Sequence, residues 1–147
     1  VFRELIKPHT KRYYDAVKAY DMIPIQHTCG FAEPLVEDFI DTGAVAWTSV
    51  QPTNDIVKLQ KLYGDKLCFM GGFDTNGPAA RIGASPEVIQ EEVERCFRTY
   101  GPQGSFIMFA YKLVNTLDFG EFMTECMKVV GPSVECSYKY GDYKNMD

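Results

Sequence analysis

The stretch AVAWTSVQPTNDIVKLQKLYGDKLCFMGG, residues 44–72, contains two apolar runs separated by a short helical pattern. AVAWTSV and KLCFMGG are continuous apolar runs of strand length, which is typical of strands buried on both faces of a parallel sheet. Between them, Asn54 is predicted to cap a helix that Gly64 ends. A strand, a helix and a second strand in this order predict a parallel sheet covered by helices.

The same unit recurs on both sides of this stretch. The predicted strands are 23–27, 44–50, 66–72 and 105–110, and the predicted helices begin near Pro8, Pro34, Asn54, Ser85 and Leu117. Gly131-Pro132 is predicted to end the last helix, so that residues 1–131 form one domain and residues 132–147 a polar tail without clear periodicity. No GxGxxG or GxxxxGK[ST] motif follows any strand, which argues against a nucleotide-binding open sheet. The fold class is therefore α/β, with parallel (β/α) units that amount to half of an eight-stranded TIM-type barrel.

Composition limits the partners and the compartment. The chain has 147 residues, of which 46% are hydrophobic, and a net charge of -5, which argues against nucleic acid or an anionic membrane surface as a partner. No run reaches the roughly 18 apolar residues of a membrane span. Five widely spaced cysteines among six methionines predict a reducing, cytoplasmic environment. Because Val1 leads directly into a helix-like segment, we expect that an upstream part of a longer protein is missing.

The sharpest candidate site is His27-Thr28-Cys29, at the end of the first strand. Imidazole nitrogen and thiolate sulfur are preferred zinc ligands, and a spacing of one residue lets both point into one space. Gly30 lets the backbone turn directly after the pair. Two ligands alone are a weak motif, and the alternative is a hydrogen-bonded histidine beside a small buried thiol.

The other strand ends also carry polar residues, where a barrel places the groups that meet the substrate. Asp74 follows the third strand and is predicted to be catalytic, although Asp-Thr-Asn-Gly is equally good turn chemistry. Tyr111, after the fourth strand, is a second candidate catalytic residue. The candidate substrate-binding residues are Gln51, Asn54 and Lys112.

Five segments together resemble the uroporphyrinogen decarboxylase superfamily. In chain order they are IKPHTKR (6–12), HTCG (27–30), WTSVQPTND (47–55), YGDKLCFMGGFD (63–74) and SPEV (85–88). The resemblance covers about residues 1 to 130 and implies that the chain corresponds to the C-terminal half of a TIM-type barrel.

HTCG is similar to one branch of this superfamily, the corrinoid-dependent methyltransferases of the methylcobalamin:coenzyme M type. The resemblance implies zinc held by His27 and Cys29, and a methyl group moved between a corrinoid on a partner protein and a small thiol or methoxylated substrate. The branch's third ligand, a cysteine, would fall near Ala110 or Tyr111, where this sequence has none.

Two other functions stay open. The true decarboxylases of the superfamily bind a porphyrinogen without a metal and use a histidine near the last strand, whereas this chain reads FAYKLVNT at 109–116. The third function, of a different class, is a non-catalytic half barrel that packs with itself as a homodimer, or against a partner or a missing N-terminal half. Whether this chain is an active enzyme by itself also stays open.

Overall fold

The computed structural model of the chain describes residues 1–141. These residues form alternating strands and helices, with short π-helical and 3-10 segments between them. The strands are β1 Ile25–His27, β2 Ala46–Val50, β3 Cys68–Gly72 and β4 Phe106–Phe109. The helices are α1 Lys7–Lys18, α2 Val36–Thr42, α3 Ile56–Tyr63, α4 Pro86–Tyr100, α5 Phe119–Met127 and α6 Val130–Tyr140.

The four strands form one parallel sheet in the order β1-β2-β3-β4. Each strand therefore pairs with the strand that precedes it in the chain, and a helix fills each connection. This progression without a reversal is the order found in a (β/α) barrel. The predicted α/β class and partial TIM-type barrel are confirmed.

The strand register sorts the side chains of the sheet onto two faces. The helix-covered face carries a row of residues across all four strands, Gln26, Trp47, Phe69 and Phe106. The next residue of each strand lies on the open face, in the row His27, Thr48, Met70 and Ile107. Trp47 and Phe69 have no exposed surface, whereas Ile107 is 48% exposed. The core of the described chain thus lies on one side of the sheet.

Strand β2 is bulged at Ser49, just before it ends. The pairing with β3 shifts between Thr48 and Val50, and Ser49 has a left-handed backbone with φ of +64°. An extra residue of this kind re-aims the side chains beyond it, so Val50 joins Trp47 in the buried core. Val50 in turn pairs with Gly71, where an added Cβ would lie 2.4 Å from the Val50 carbonyl oxygen. A glycine at the end of β3 therefore permits the bulge.

The structure corrects the predicted ends of two helices. The cap of α3 is Asp55, whose carboxylate accepts from the Lys58 amide at 3.1 Å, so the prediction that Asn54 caps this helix is wrong. The helix predicted to end at Gly131-Pro132 corresponds to α5, which ends at Met127, and the pair is wrongly predicted to stop a helix because it lies in the first turn of a further helix, α6, which runs to Tyr140. Of the predicted tail, residues 142–147 lie outside the described residues. No helix within residues 1–141 combines the length and the apolar character needed to cross a bilayer.

Candidate functional site

The loop after β1, which carries HTCG, is held in place by residues of the β2 strand and the segment that follows it. The indole nitrogen of Trp47 donates to the Thr28 carbonyl at 2.8 Å. The Gly30 amide donates to Oε1 of Gln51 at 2.9 Å, and Nδ2 of Asn54 donates to the Gly30 carbonyl at 2.9 Å. Gly30 has a φ of +76°, which suits glycine at this turn. Hydrogen bonds with residues 47–54 thus hold the HTCG loop in place.

Gln51 and Asn54, the predicted substrate-binding residues of this region, are both buried. Gln51 also donates through Nε2 to the Thr75 hydroxyl at 2.8 Å, and Oδ1 of Asn54 accepts from the Ala32 and Glu33 amides at 2.9 and 3.0 Å. These two amide side chains therefore connect the loops that follow β1, β2 and β3. Contact with a substrate stays a prediction for both of them.

His27 and Cys29 lie side by side and are both exposed at the carboxyl end of β1. The distance from Nε2 of His27 to Sγ of Cys29 is 3.5 Å. Two ligands of tetrahedral zinc, a nitrogen and a sulfur at their usual bond lengths, would be about 3.6 Å apart. The donor atoms are thus spaced as a shared zinc ion requires.

Ser49 and Tyr111 extend this pair across the edge of the sheet. Sγ of Cys29 is 3.5 Å from Oγ of Ser49, and Oγ of Ser49 shares a hydrogen bond with the Tyr111 hydroxyl. The Tyr111 ring packs on Phe109, with ring centroids 5.3 Å apart. The structure therefore brings two predicted site regions, HTCG and the residues after β4, into one cluster.

Ser49 had no role in the sequence analysis. The signal available was a Thr-Ser pair near the end of a mainly apolar strand, followed in the next strand by Gly-Gly. A bulge depends on the pairing of two strands, so the serine's direction could not be read from β2 alone.

Lys112, the third predicted substrate-binding residue, is directed away from this cluster. Its side chain is fully buried, and Nζ lies 2.5 Å from Oε2 of Glu125 in α5 and 2.8 Å from the Arg81 carbonyl. Lys128 forms a second ion pair with Glu125. Hydrogen bonds from Lys112 and then Lys128 lower the pKa of the Glu125 carboxyl to about 2. Lys112 thus joins the segment after β4 to α5, and its predicted contact with substrate is untested.

Asp74, predicted to be catalytic, follows β3 and makes its contacts with its own loop and with α4. Its Oδ1 accepts from the Asn76 amide at 2.9 Å, which is the turn contact that its sequence context allows. Its backbone amide donates to Glu92 of α4 at 2.8 Å. Asp74 also lines a cavity of about 250 Å³, together with Glu91 and Arg95 of the same helix. The part of the structure described here shows no hydrogen bond between Asp74 and the His27–Cys29 pair.

The described residues therefore supply two candidate metal ligands, His27 and Cys29. Within residues 1–141, no three His, Cys, Asp or Glu side chains form a metal-binding group. His27 and Cys29 supply the nitrogen and sulfur donors that zinc prefers, at a suitable separation. A catalytic zinc site takes three protein ligands and keeps one position open, so a third protein ligand would have to come from outside the residues described, and the open position would receive a substrate atom.

Comparison with known proteins agrees with this architecture. The family model for uroporphyrinogen decarboxylase (URO-D) matches residues 1–110. A methyltransferase from Methanosarcina mazei has a similar structure, with a TM-score of 0.62 and 15% sequence identity over 91% of this chain. The chain spans 36% of the length of that structure. A comparison with curated proteins finds no match. By the extent of the family match, this chain belongs to the uroporphyrinogen decarboxylase (URO-D) family.

Proposed function

We propose that this chain is part of a methyltransferase of the URO-D family, which moves a methyl group between a corrinoid and a small thiol or methoxylated substrate. The observation that carries the proposal is the exposed pair of His27 and Cys29, with donor atoms 3.5 Å apart at the carboxyl edge of a parallel sheet. That edge is where barrel enzymes bind substrates and place reactive groups. The similar fold of a methyltransferase supports the same choice.

In this proposal, His27 and Cys29 hold zinc at the carboxyl end of β1. Zinc bound there would lower the pKa of a substrate thiol, or polarise an ether oxygen as a Lewis acid. Gln51 and Asn54 keep the ligand loop in place through their contacts with Gly30. The Tyr111 hydroxyl, which bonds to Ser49 beside Cys29, would contact a substrate bound at the pair. Asp74, in the loop after β3, would orient the substrate or balance its charge.

The corrinoid would be carried by a separate protein that docks over the same edge. In the transfer to a thiol, the corrinoid would supply the methyl group and keep the electron pair of the broken bond, and the substrate sulfur would supply the electron pair of the new bond. The thiol proton goes to solvent, so that charge and atoms balance. In this proposal, His27, Cys29 and the residues around them bind the small substrate, and the partner protein binds the corrinoid.

Zinc content tests the proposal directly. The chain purified without chelator is expected to contain close to one zinc per molecule, and the double variant His27→Ala, Cys29→Ala is expected to contain none. The matched control is His9→Ala, Cys126→Ala, which removes one histidine and one cysteine from α1 and α5 and is expected to keep the metal. Anaerobic transfer from free methylcobalamin to a thiol, followed by the absorption change of the corrinoid, then tests the reaction.

The metal result also separates this proposal from a decarboxylase. A chain that contains no zinc and binds a porphyrinogen would favour a uroporphyrinogen decarboxylase. His27 and Cys29 would then be packing residues or substrate contacts. Zinc that persists in the His27→Ala, Cys29→Ala variant would place the metal elsewhere and would contradict the assignment of the ligands.

A second candidate function, a non-catalytic half barrel that packs with itself or a partner, is favoured by the open face. Ile25, Ile107 and Phe109 are 46%, 48% and 37% exposed on that face. Ile25 lies in β1 and the other two lie in β4, the two outer strands of the sheet, and apolar side chains exposed on a sheet face are typical of a surface that another protein covers. Molecular mass from light scattering tests this candidate, and a monomer over a wide concentration range would argue against packing with itself.

A further inference from the structure

Ser49 differs from an ordinary strand residue in its backbone conformation and in the two partners of its buried hydroxyl. It is 1% exposed, lies in the bulge of β2, and has a left-handed backbone that non-glycine residues adopt only at a cost in free energy. Its hydroxyl lies between two partners, Sγ of Cys29 and the Tyr111 hydroxyl. A strained backbone that aims one hydroxyl at a candidate metal ligand points to a role for that hydroxyl.

The chemistry of the three groups fixes the direction of the hydrogen bonds when Cys29 binds a metal. A cysteine ligand is a thiolate and can only accept. The hydroxyl hydrogen of Ser49 must then point to Sγ, which leaves an oxygen lone pair of Ser49 to accept from Tyr111. Each hydroxyl has one hydrogen, so the chain of donors runs from Tyr111 to Ser49 to Cys29.

We propose that Ser49 and Tyr111 are positioning residues, which fix the Cys29 sulfur beside His27 and strengthen its hold on zinc. The inference rests on the proposed function, since it assumes that His27 and Cys29 bind the metal. Hydrogen bonds to a ligand orient it and adjust its basicity, and their loss usually weakens metal binding by about 10- to 100-fold. Tyr111 acts through Ser49 and therefore contributes the smaller part.

The test compares Ser49→Ala, Tyr111→Phe and the double variant with the unmodified chain. Ser49→Ala keeps the Cβ and the backbone but removes the donor, and Tyr111→Phe removes only a hydroxyl. The matched control is Ser105→Ala. Ser105 also has a left-handed backbone, with φ of +52°, and its hydroxyl donates to the Gly64 carbonyl. It precedes β4, however, and so lies at the amino ends of the strands, whereas Cys29 lies at their carboxyl ends. Circular dichroism verifies that each variant is folded.

Zinc affinity is measured by competition with a chromophoric chelator, and cobalt(II) is used as a spectroscopic probe of the sulfur ligand. We expect zinc binding about 10- to 100-fold weaker in Ser49→Ala, with a shifted thiolate-to-cobalt absorption band. Tyr111→Phe is expected to weaken zinc binding and to shift the absorption band in the same direction, but by less than Ser49→Ala. The double variant should match Ser49→Ala, because without Ser49 the tyrosine has no route to the sulfur. Ser105→Ala should leave the affinity and the spectrum unchanged.

Each contrary outcome has its own meaning. Zinc in the unmodified chain with unchanged affinity and spectrum in both single variants overturns this inference and leaves the proposed function standing. A larger loss in Tyr111→Phe than in Ser49→Ala also overturns it, and would assign Tyr111 as a direct ligand. The absence of zinc from the unmodified chain overturns the proposed function together with the inference. If Ser49→Ala does not fold, Tyr111→Phe and its cobalt spectrum decide.

Discussion

Two neighbouring rows of residues on the same four strands have opposite surroundings. On the helix-covered face, Trp47 and Phe69 are fully buried and Trp47 packs edge to face on Phe39, with ring centroids 5.6 Å apart. One residue further along each strand, the open-face row begins at His27 and ends at Ile107, and both are exposed. The difference separates two tasks, because the first row supplies residues of the core and the second row includes His27 of the candidate site.

The contrast continues beyond the strand ends. Lys112 and Tyr111 are consecutive in the chain, yet Lys112 is buried in an ion pair with Glu125 whereas Tyr111 reaches the Cys29 cluster. The polar groups of Lys112 are fully engaged with other parts of the chain. His27 and Cys29, by contrast, remain exposed. Substitutions on the two sides should therefore affect stability and zinc binding to different extents.

The largest loss of stability is expected for Trp47→Ala. Truncating a fully buried tryptophan should lower the free energy of unfolding by about 4 kcal/mol, because contacts with Phe39 and Phe69 are lost and a cavity remains. Urea denaturation measures this. Trp47→Phe is the matched control, since it keeps most of the ring but loses the bond to the Thr28 carbonyl. A cost below 1 kcal/mol for Trp47→Ala would mean that the helix-covered face is not the main core.

Lys112→Met should cost about 3 kcal/mol, because it leaves the buried Glu125 carboxylate with only Lys128 as a charged partner. The double variant Lys112→Met, Glu125→Leu is the control. Replacing both members of a buried pair by apolar groups is often close to neutral, so the double variant should be more stable than the single one. The reverse order would show that Glu125 is well solvated and that the ion pair contributes little.

Acid should weaken the same ion pair in the unmodified chain. The pKa of Glu125 in the folded chain is about 2, below its ordinary value of 4.5, so the folded state favours the carboxylate. Its contribution to stability is present above pH 4.5 and is lost as the pH falls towards 2. The melting temperature of the unmodified chain should therefore fall more steeply over this range than that of Glu125→Gln. Parallel pH profiles would contradict the lowered pKa.

Asn54→Ala should cost about 2 kcal/mol, because buried backbone groups of the loop after β1 lose their partner. The variant should also bind zinc more weakly, since the loop carries His27 and Cys29. Asn76→Ala, an exposed amide in the loop after β3, is the matched control and should change neither property. Weaker stability with unchanged zinc affinity would separate the support of the loop from the candidate metal site.

The sequence predicted the arrangement of elements better than the use of individual side chains. Apolar runs and helix ends are local signals, so the four parallel strands and the position of His27 and Cys29 at a strand end were predictable. The roles of Asn54 and Lys112 depend on Gly30 and Glu125, which are distant in sequence. The pattern of one segment contains no information about those partners. The helix through Gly131-Pro132 was missed because both residues lie in the first turn of α6, where proline lacks only an amide hydrogen that would have no partner within the helix, so a Gly-Pro pair is compatible with a helix start as well as a helix end.

The smallest effect is expected for Ile107→Ala, and it is the most direct test of the open face. Ile107 is 48% exposed, so its truncation should cost about 1 kcal/mol or less. Ile89→Ala is the matched control, because this fully buried isoleucine of α4 should cost about 3 kcal/mol when truncated. Urea denaturation of both variants gives the two losses in free energy of unfolding, which are then compared. Equal costs would mean that Ile107 is as buried as Ile89 in solution, and the open face would then be covered by another copy or another protein. Unequal costs, at every protein concentration tested, would leave the row from His27 to Ile107 accessible to a substrate.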